Sequence, residues 1–320
     1  MEHPEIIVPP PQNSLVPHLV VQGGQKAEEV FFEFFAAEIA NPNTREHYLR
    51  DILRFSKWCA DRGFHLRSIS PIHLAAYREE LKQDLAPPSV KRHFSALRRL
   101  FGYWVEKGVL ERNPVREVKT EKFTREEGKT LAFDPEEMKL LMQSFDVDSI
   151  RDRRDRAIIG VMAYTFARVH AVCDLTVEDY FLQGRRYFIR LHEKGGKERV
   201  LPCNHKLEEY LESYLGTLGE VKAKAPLFRS MKGKKLTLSN NPMSRTDIYA
   251  MVRKRVLGAG IAGRYSCHSF RATGITTFLE NGGTLEKAQW IAGHADSRTT
   301  KLYDRRNVRA SMADVERVTY

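Results

Sequence analysis

Long apolar runs are missing from this 320-residue sequence. Nowhere do about 18 uninterrupted apolar residues occur, which excludes an ordinary transmembrane helix. Cysteine is scarce: Cys59, Cys173, Cys203 and Cys267 lie far apart and form no CxxC pair. That spacing suits neither a zinc site nor a disulfide framework, and reads as reduced thiols. The opening segment MEHPEIIVPPP has no basic stretch followed by an apolar core, so it does not read as a signal peptide. A cytoplasmic protein is the expectation, and no internal repeat is visible.

Positive charge, by contrast, is in excess. Lys and Arg number 52 against 41 Asp and Glu, a formal charge of +11. Such a surplus favours polyanionic partners, because neutralising phosphates releases their condensed counterions. At 42% apolar residues the chain can also build real cores, and its length fits two domains.

Composition divides the chain. Residues 1–26 are rich in Pro and Gly and read as a flexible leader. Helical periodicity begins near Ala27. Tyr48, Ile52, Phe55 and Cys59 recur at helical spacing behind Thr44, a candidate cap. Leu74, Tyr77 and Leu81 follow the Ser70-Pro71 start, and Phe94, Leu97, Phe101 and Trp104 follow Pro87-Pro88. Residues 27–112 are therefore expected to form a bundle of about four helices. On its last helix Lys91, Arg92, Arg98 and Arg99 read either as a solvated face or as contacts to DNA phosphates.

Residues 113–128 are charged and nearly free of large apolar groups, an expected interdomain linker. In the second domain, 129–303, Asp134, Pro135 and Glu137 form a capping-box start. Residues 151–166 read as an apolar helix, and RYFIRLHEKGGKERVLPC (186–203) as a hairpin around Gly195-Gly196. The rest is expected to be helical, with loops at 218–243, 258–267 and 281–284. The fold class is thus mainly α with a small antiparallel β-sheet. In the tail, 304–320, Val308, Met312, Val315 and Val318 follow helical spacing.

Six residues could carry chemistry. His268 and Arg271, three apart, share a helix face. Gly293-His294 follows a short helix, with Tyr303 nine residues after the histidine. Arg168 follows the apolar helix, and Lys194 sits at the hairpin tip. Guanidiniums can clamp the nonbridging oxygens of a phosphodiester bidentately, and a tyrosine can attack it if something accepts its proton. A lysine can protonate the departing alkoxide. No acidic cluster suited to magnesium accompanies these residues. Singly, each is more often a packing or surface residue; their joint order is the signal.

That order resembles the tyrosine recombinases, also called the phage integrase family. The family's Arg, hairpin Lys, HxxR, Gly-His and Tyr correspond to Arg168, Lys194, His268 with Arg271, Gly293-His294 and Tyr303. DLTVEDY, EKGGKERVLP and HSFRATGITTFLENG around them match too, and residues 27–112 resemble the family's core-binding domain. The sequence departs from the pattern at TFARVHAV, where Ala171 stands in place of the acidic residue that commonly supports the arginine. The resemblance leaves open what supports Arg168, and Lys197 is an alternative to Lys194.

The resemblance implies a site-specific DNA recombinase in which Tyr303 attacks the scissile phosphate and leaves a 3′-phosphotyrosyl bond. Arg168 and Arg271 would hold the nonbridging oxygens, with His294 donating another hydrogen bond. His268 would help accept the tyrosine proton, and Lys194 would protonate the 5′ oxygen. No metal or cofactor is called for. The implied partners are a double-stranded recombination site and three further copies of the chain, the tail docking on a neighbour. Type IB topoisomerase activity and a non-catalytic DNA-binding protein are the alternatives. A nucleoid-associated, prokaryotic or mobile-element setting is expected.

Overall fold

Helix-starting prolines and capping side chains set most element boundaries. The computed structural model describes residues 16–120, 130–193, 196–233 and 237–304, in two units, 1–124 and 125–320. The first contains α1 (His18–Val21), α2 (Gln25–Glu33), α3 (Pro42–Ala60), α4 (Pro71–Asp84) and α5 (Pro87–Glu106). The prolines at the starts of α3, α4 and α5 occupy positions whose N–H would have no helical partner. Asn41, not Thr44, caps α3: its side chain accepts from the Thr44 backbone N–H at 3.2 Å.

Helix α5 is the centre of this unit. Phe94, Leu97, Leu100, Phe101 and Trp104 are fully buried on it against Phe34, Phe55, Tyr77 and others, each worth roughly 1.5–3 kcal/mol relative to exposure. The leader expected over 1–26 is shorter among the described residues. Pro17 starts α1, and Leu19 and Val20 are buried in the same core. At the other end, residues 114–117 form a 3-10 turn whose Val115 is buried with Val118. The expected linker from 113 therefore begins as part of the N-terminal core, because two valines among its charges supply enough apolar surface to dock.

The second unit runs α6 (Pro135–Gln143), α7 (Ile150–Tyr164), α8 (Val169–Cys173), β1 (Tyr180–Gln183), β2 (Arg186–Glu193), β3 (Lys197–Pro202) and α9 (His205–Leu215). Then come β4 (Arg229–Lys232), β5 (Thr237–Pro242), α10 (Arg245–Gly258), α11 (Cys267–Glu280), α12 (Leu285–Ala292) and α13 (Ser297–Lys301). Asp134 and Glu137 close the expected capping box on α6. Strands β1, β2 and β3 form one antiparallel sheet in that order, and Ile189, Leu191 and Leu201 point into the core. The stretch 218–243, read as a loop, contains the β4–β5 hairpin instead. Its strands are short and mostly polar, so alternation gave no signal.

Helix α11 packs tightly on α7 at Gly274. A Cβ there would lie 2.1 Å from the Ala163 carbonyl and 2.6 Å from the Phe166 ring. Gly274→Ala should destabilise the unit by about 3 kcal/mol through overpacking. Thermal melting should register this as a loss of about 2–4 °C per kcal/mol. Lys194, Gly195 and the tail from residue 305 lie outside the described residues. No described helix is long and apolar enough to cross a membrane.

Candidate active site

Five separate chain segments of the second unit converge on one positively charged centre. Helix α7 ends at Tyr164, and two residues later Phe166 adopts φ 54°, the one left-handed non-glycine among the described residues. Its ring is buried against Ile275, Leu279, Ala288 and Ala292, packing that offsets the roughly 1–3 kcal/mol such a backbone costs. Its carbonyl accepts a hydrogen bond from Nη1 of Arg271.

Arg271, on α11, is 1% exposed. Nη2 donates to the Ala292 carbonyl at the end of α12. Among the described residues no carboxylate lies within ion-pair distance of it. A buried guanidinium held by two neutral carbonyls is an uncompensated charge, which is costly unless an anion arrives. Burial, with the Arg168 charge nearby, pulls its pKa down to about 9.

Helix α12 ends in Gly293 at φ 58°, and the His294 N–H reaches back to the Gln289 carbonyl at 3.1 Å, a glycine-dependent helix stop. A Cβ at Gly293 would also fall 2.9 Å from Nε of Arg199. The stop turns His294 inward until only 9% of it is exposed. Its Nδ1 lies 2.8 Å from the hydroxyl of Thr300 on α13. Tyr303 follows α13; its ring lies nearly parallel to that of His294, with centroids 6.2 Å apart. The Tyr303 carbonyl accepts from Thr276 of α11.

Burial, then the charges of Arg271 and Arg168, push the His294 pKa down to about 3. The ring is therefore neutral at pH 7. An unfolded histidine titrates near 6.5, so between about pH 3 and 6.5 the unfolded chain binds the extra proton. Stability from this group is full above that window and is lost as pH falls through it. His294→Gln, which cannot take up the proton, should flatten the fall in denaturant midpoint between pH 6.5 and pH 4 relative to the parent.

His268 lies in the first turn of α11, one turn before Arg271, at the exposed edge of the centre. Partial burial of the ring, then Arg271 and Arg168, lower its pKa, leaving a neutral imidazole able to accept a proton. Arg168 caps α8 with its side chain 39% exposed, and its Nη1 donates to Oε2 of Glu193 at 2.6 Å. The other Glu193 oxygen accepts from Nη2 of Arg199 on β3.

Of the six residues expected from the sequence, Arg168, His268, Arg271, His294 and Tyr303 are brought together here, and Lys194 lies outside the described residues. The geometry adds Glu193, Arg199 and Thr300. Arg199 carries a readable signal, since its inward position alternates with buried Leu201 while apolar Val200 faces out.

Three of the four cations expected on α5 as a solvated face or DNA contacts have partners within their own unit. Arg92 makes a bidentate pair with fully buried Asp51, at 2.8 and 2.9 Å. That carboxylate needs a permanent counter-charge. Arg98 donates to the Val118 carbonyl and covers the Phe94 ring, and Arg99 binds Glu38. These three are engaged within their own unit, while Lys91 is exposed.

Residues 132–309 match the model of the phage integrase family, and residues 29–108 match its N-terminal SAM-like domain. The chain belongs to the phage integrase family. It is 29% identical over 273 residues to tyrosine recombinase XerC of Myxococcus xanthus, covering 82% of this chain and 87% of that protein. To tyrosine recombinase XerD of Pseudomonas aeruginosa it is 28% identical over 268 residues, with 82% and 86% covered. In fold it is similar to the XerH site-specific recombinase bound to palindromic difH substrate, with TM-score 0.68, 20% identity, and 87% and 84% of the two chains covered. A lambda integrase dimer bound to a COC′ core site gives TM-score 0.66 at 16% identity, with 89% and 97% covered.

Proposed function

We propose that this integrase-family chain is a site-specific DNA recombinase that cuts and rejoins strands through Tyr303. The observation that carries the reading is Arg271: a buried, carboxylate-free guanidinium fixed by two carbonyls beside Arg168, His294 and Tyr303. Such a centre is built for a group that brings negative charge, and a phosphodiester gains further charge on its nonbridging oxygens as it is attacked.

The Tyr303 oxygen attacks the scissile phosphorus as its proton passes to His268. A Tyr–O–P bond forms and the bond to the 5′ oxygen breaks. Lys194 protonates that oxygen, leaving a 3′-phosphotyrosyl linkage and a free 5′-hydroxyl. Arg168 and Arg271 hold the nonbridging oxygens, and neutral His294 donates from Nε2, its Nδ1 accepting from Thr300. Attack by a 5′-hydroxyl from a second duplex reverses the step and exchanges strands.

Four copies of the chain would hold two DNA sites in the cytoplasm. A groove of about 1330 Å³ on the second unit, lined by Met138, Met142, Phe145, Phe278 and Ile291, supports docking of the apolar stripe of a neighbour's tail. Lys91 is the α5 cation left available for DNA phosphate.

The test is to shear DNA from the host, incubate it with the protein, denature, and sequence what stays covalently attached. One recurrent sequence is expected. Built as a nicked duplex that loses its short 5′-hydroxyl strand, it should trap the protein stoichiometrically. A parent protein that forms no adduct with any DNA would overturn the reading. A plasmid with two copies of the recovered site should yield recombinants; relaxation without them would favour a topoisomerase.

A further inference from the structure

The acidic partner that this family commonly places three residues after its first arginine is absent here: position 171 is a buried alanine on α8. Arg168 nevertheless has a carboxylate against it, from another element. Glu193, the last residue of β2, has a side chain only 8% exposed and lies 2.6 Å from Arg168 Nη1. Among the described residues it is the one carboxylate paired with Arg168.

We infer that Glu193 is the positioning residue for Arg168, doing from the hairpin what an acidic side chain at position 171 would do from within α8. The inference rests on the recombinase reading.

Three features of the geometry carry it. First, the pairing is one-sided. Glu193 takes Nη1, and the planar fork of an arginine held along one edge keeps its remaining donors aimed in a fixed direction. Second, charge is conserved by Arg199. A lone Arg168–Glu193 pair would be neutral and a poor anion holder. Arg199, 9% exposed, binds the other oxygen of Glu193, so the trio keeps a net charge of +1 while Arg168 stays more open than either partner. Among the described residues Nε and Nη1 of Arg199 are buried without a hydrogen-bond partner.

Third, the clamp ties the site together. Arg199 lies under Gly293, the glycine stop that turns in His294, and Glu193 immediately precedes Lys194 in the chain. One carboxylate therefore links the start of α8, the root of the lysine hairpin and the turn after α12. Residues Glu193 and Arg199 act through Arg168 and do not themselves touch substrate.

The test uses the full-length protein and the duplex recovered by covalent capture, nicked and saturating. Glu193→Gln keeps the shape of the side chain and removes its charge. It should slow single-turnover adduct formation roughly 100-fold, the cost of a misplaced holding group, with the half-saturating DNA concentration unchanged; buried Arg199 loses its counter-charge, so the melting temperature should fall and rates are compared well below it. In an Arg168→Ala background the same substitution should cost less than about threefold, because the two residues act as one. A duplex with a methylphosphonate at the crossing point lacks one nonbridging charge and leans less on Arg168. On it, parent and Glu193→Gln should converge.

Adduct formation at the parental rate by Glu193→Gln would overturn the inference. So would an undiminished loss in the Arg168→Ala background or on the methylphosphonate. Failure of the parent itself to form adduct is a separate result and would overturn the recombinase reading instead.

Discussion

Tyr303→Phe is expected to abolish covalent attachment to DNA, by about 10⁴-fold or more as for removal of other nucleophiles, while noncovalent binding stays at the parental level. The substitution deletes one oxygen. The ring keeps its parallel stack on His294 and its contact with the Phe166–Ile275 cluster. The hydrogen bonds around residue 303 run through its backbone, to Thr300 and Thr276. Folding and DNA affinity thus have no reason to change, and denaturing gels beside a gel-shift titration separate the two effects. An adduct that survives the substitution would place the nucleophile elsewhere in the chain.

A loss of 10² to 10³ is expected for Arg271→Lys, the range for removing one preorganised charge-stabilising donor. Lysine keeps the charge but gathers its three N–H donors on one nitrogen in place of a planar fork. Arg271 meets the Phe166 and Ala292 carbonyls with two separate nitrogens, an arrangement that one ammonium nitrogen does not reproduce while also facing a phosphate. Arg271→Ala should fail more broadly, because both buried carbonyls then lose their donor, at about 1–3 kcal/mol apiece. Comparing the two variants by single-turnover cleavage and thermal melting distinguishes the chemical role from the structural one. A lysine variant with parental cleavage would show that the fork geometry is not used.

Much of this site was legible in the chain. The capping box at Asp134, the hairpin around Gly195-Gly196 and the one-turn spacing of His268 and Arg271 are local patterns, and local patterns survive folding. The inward faces of α4 and α5 were likewise set by spacing alone. What stayed hidden is long-range. That Glu193 would meet Arg168 depends on how β2 lies beside α8, 25 residues away in sequence, and no periodicity encodes that. The partners of the basic run on α5 were hidden for the same reason. A sequence displays Arg92 as a free cation, whereas Asp51, 41 residues earlier, consumes it. Phe166 was unreadable in another way, because a phenylalanine gives no hint of a left-handed backbone until its ring is seen locked in place.

The carbonyl-held Arg271 also sets how stability and activity trade against each other. Arg271 sits among Arg168 and Arg199, and neutral carbonyls rather than carboxylates hold it. The free protein therefore carries an internal repulsion, set against the hydrogen bonds that Arg271 gives the Phe166 and Ala292 carbonyls. An anion placed among these guanidiniums would relieve that repulsion. On the recombinase reading, a phosphodiester would stabilise this fold as well as serve as its substrate, so that tight seating of DNA and resistance to unfolding would rise together.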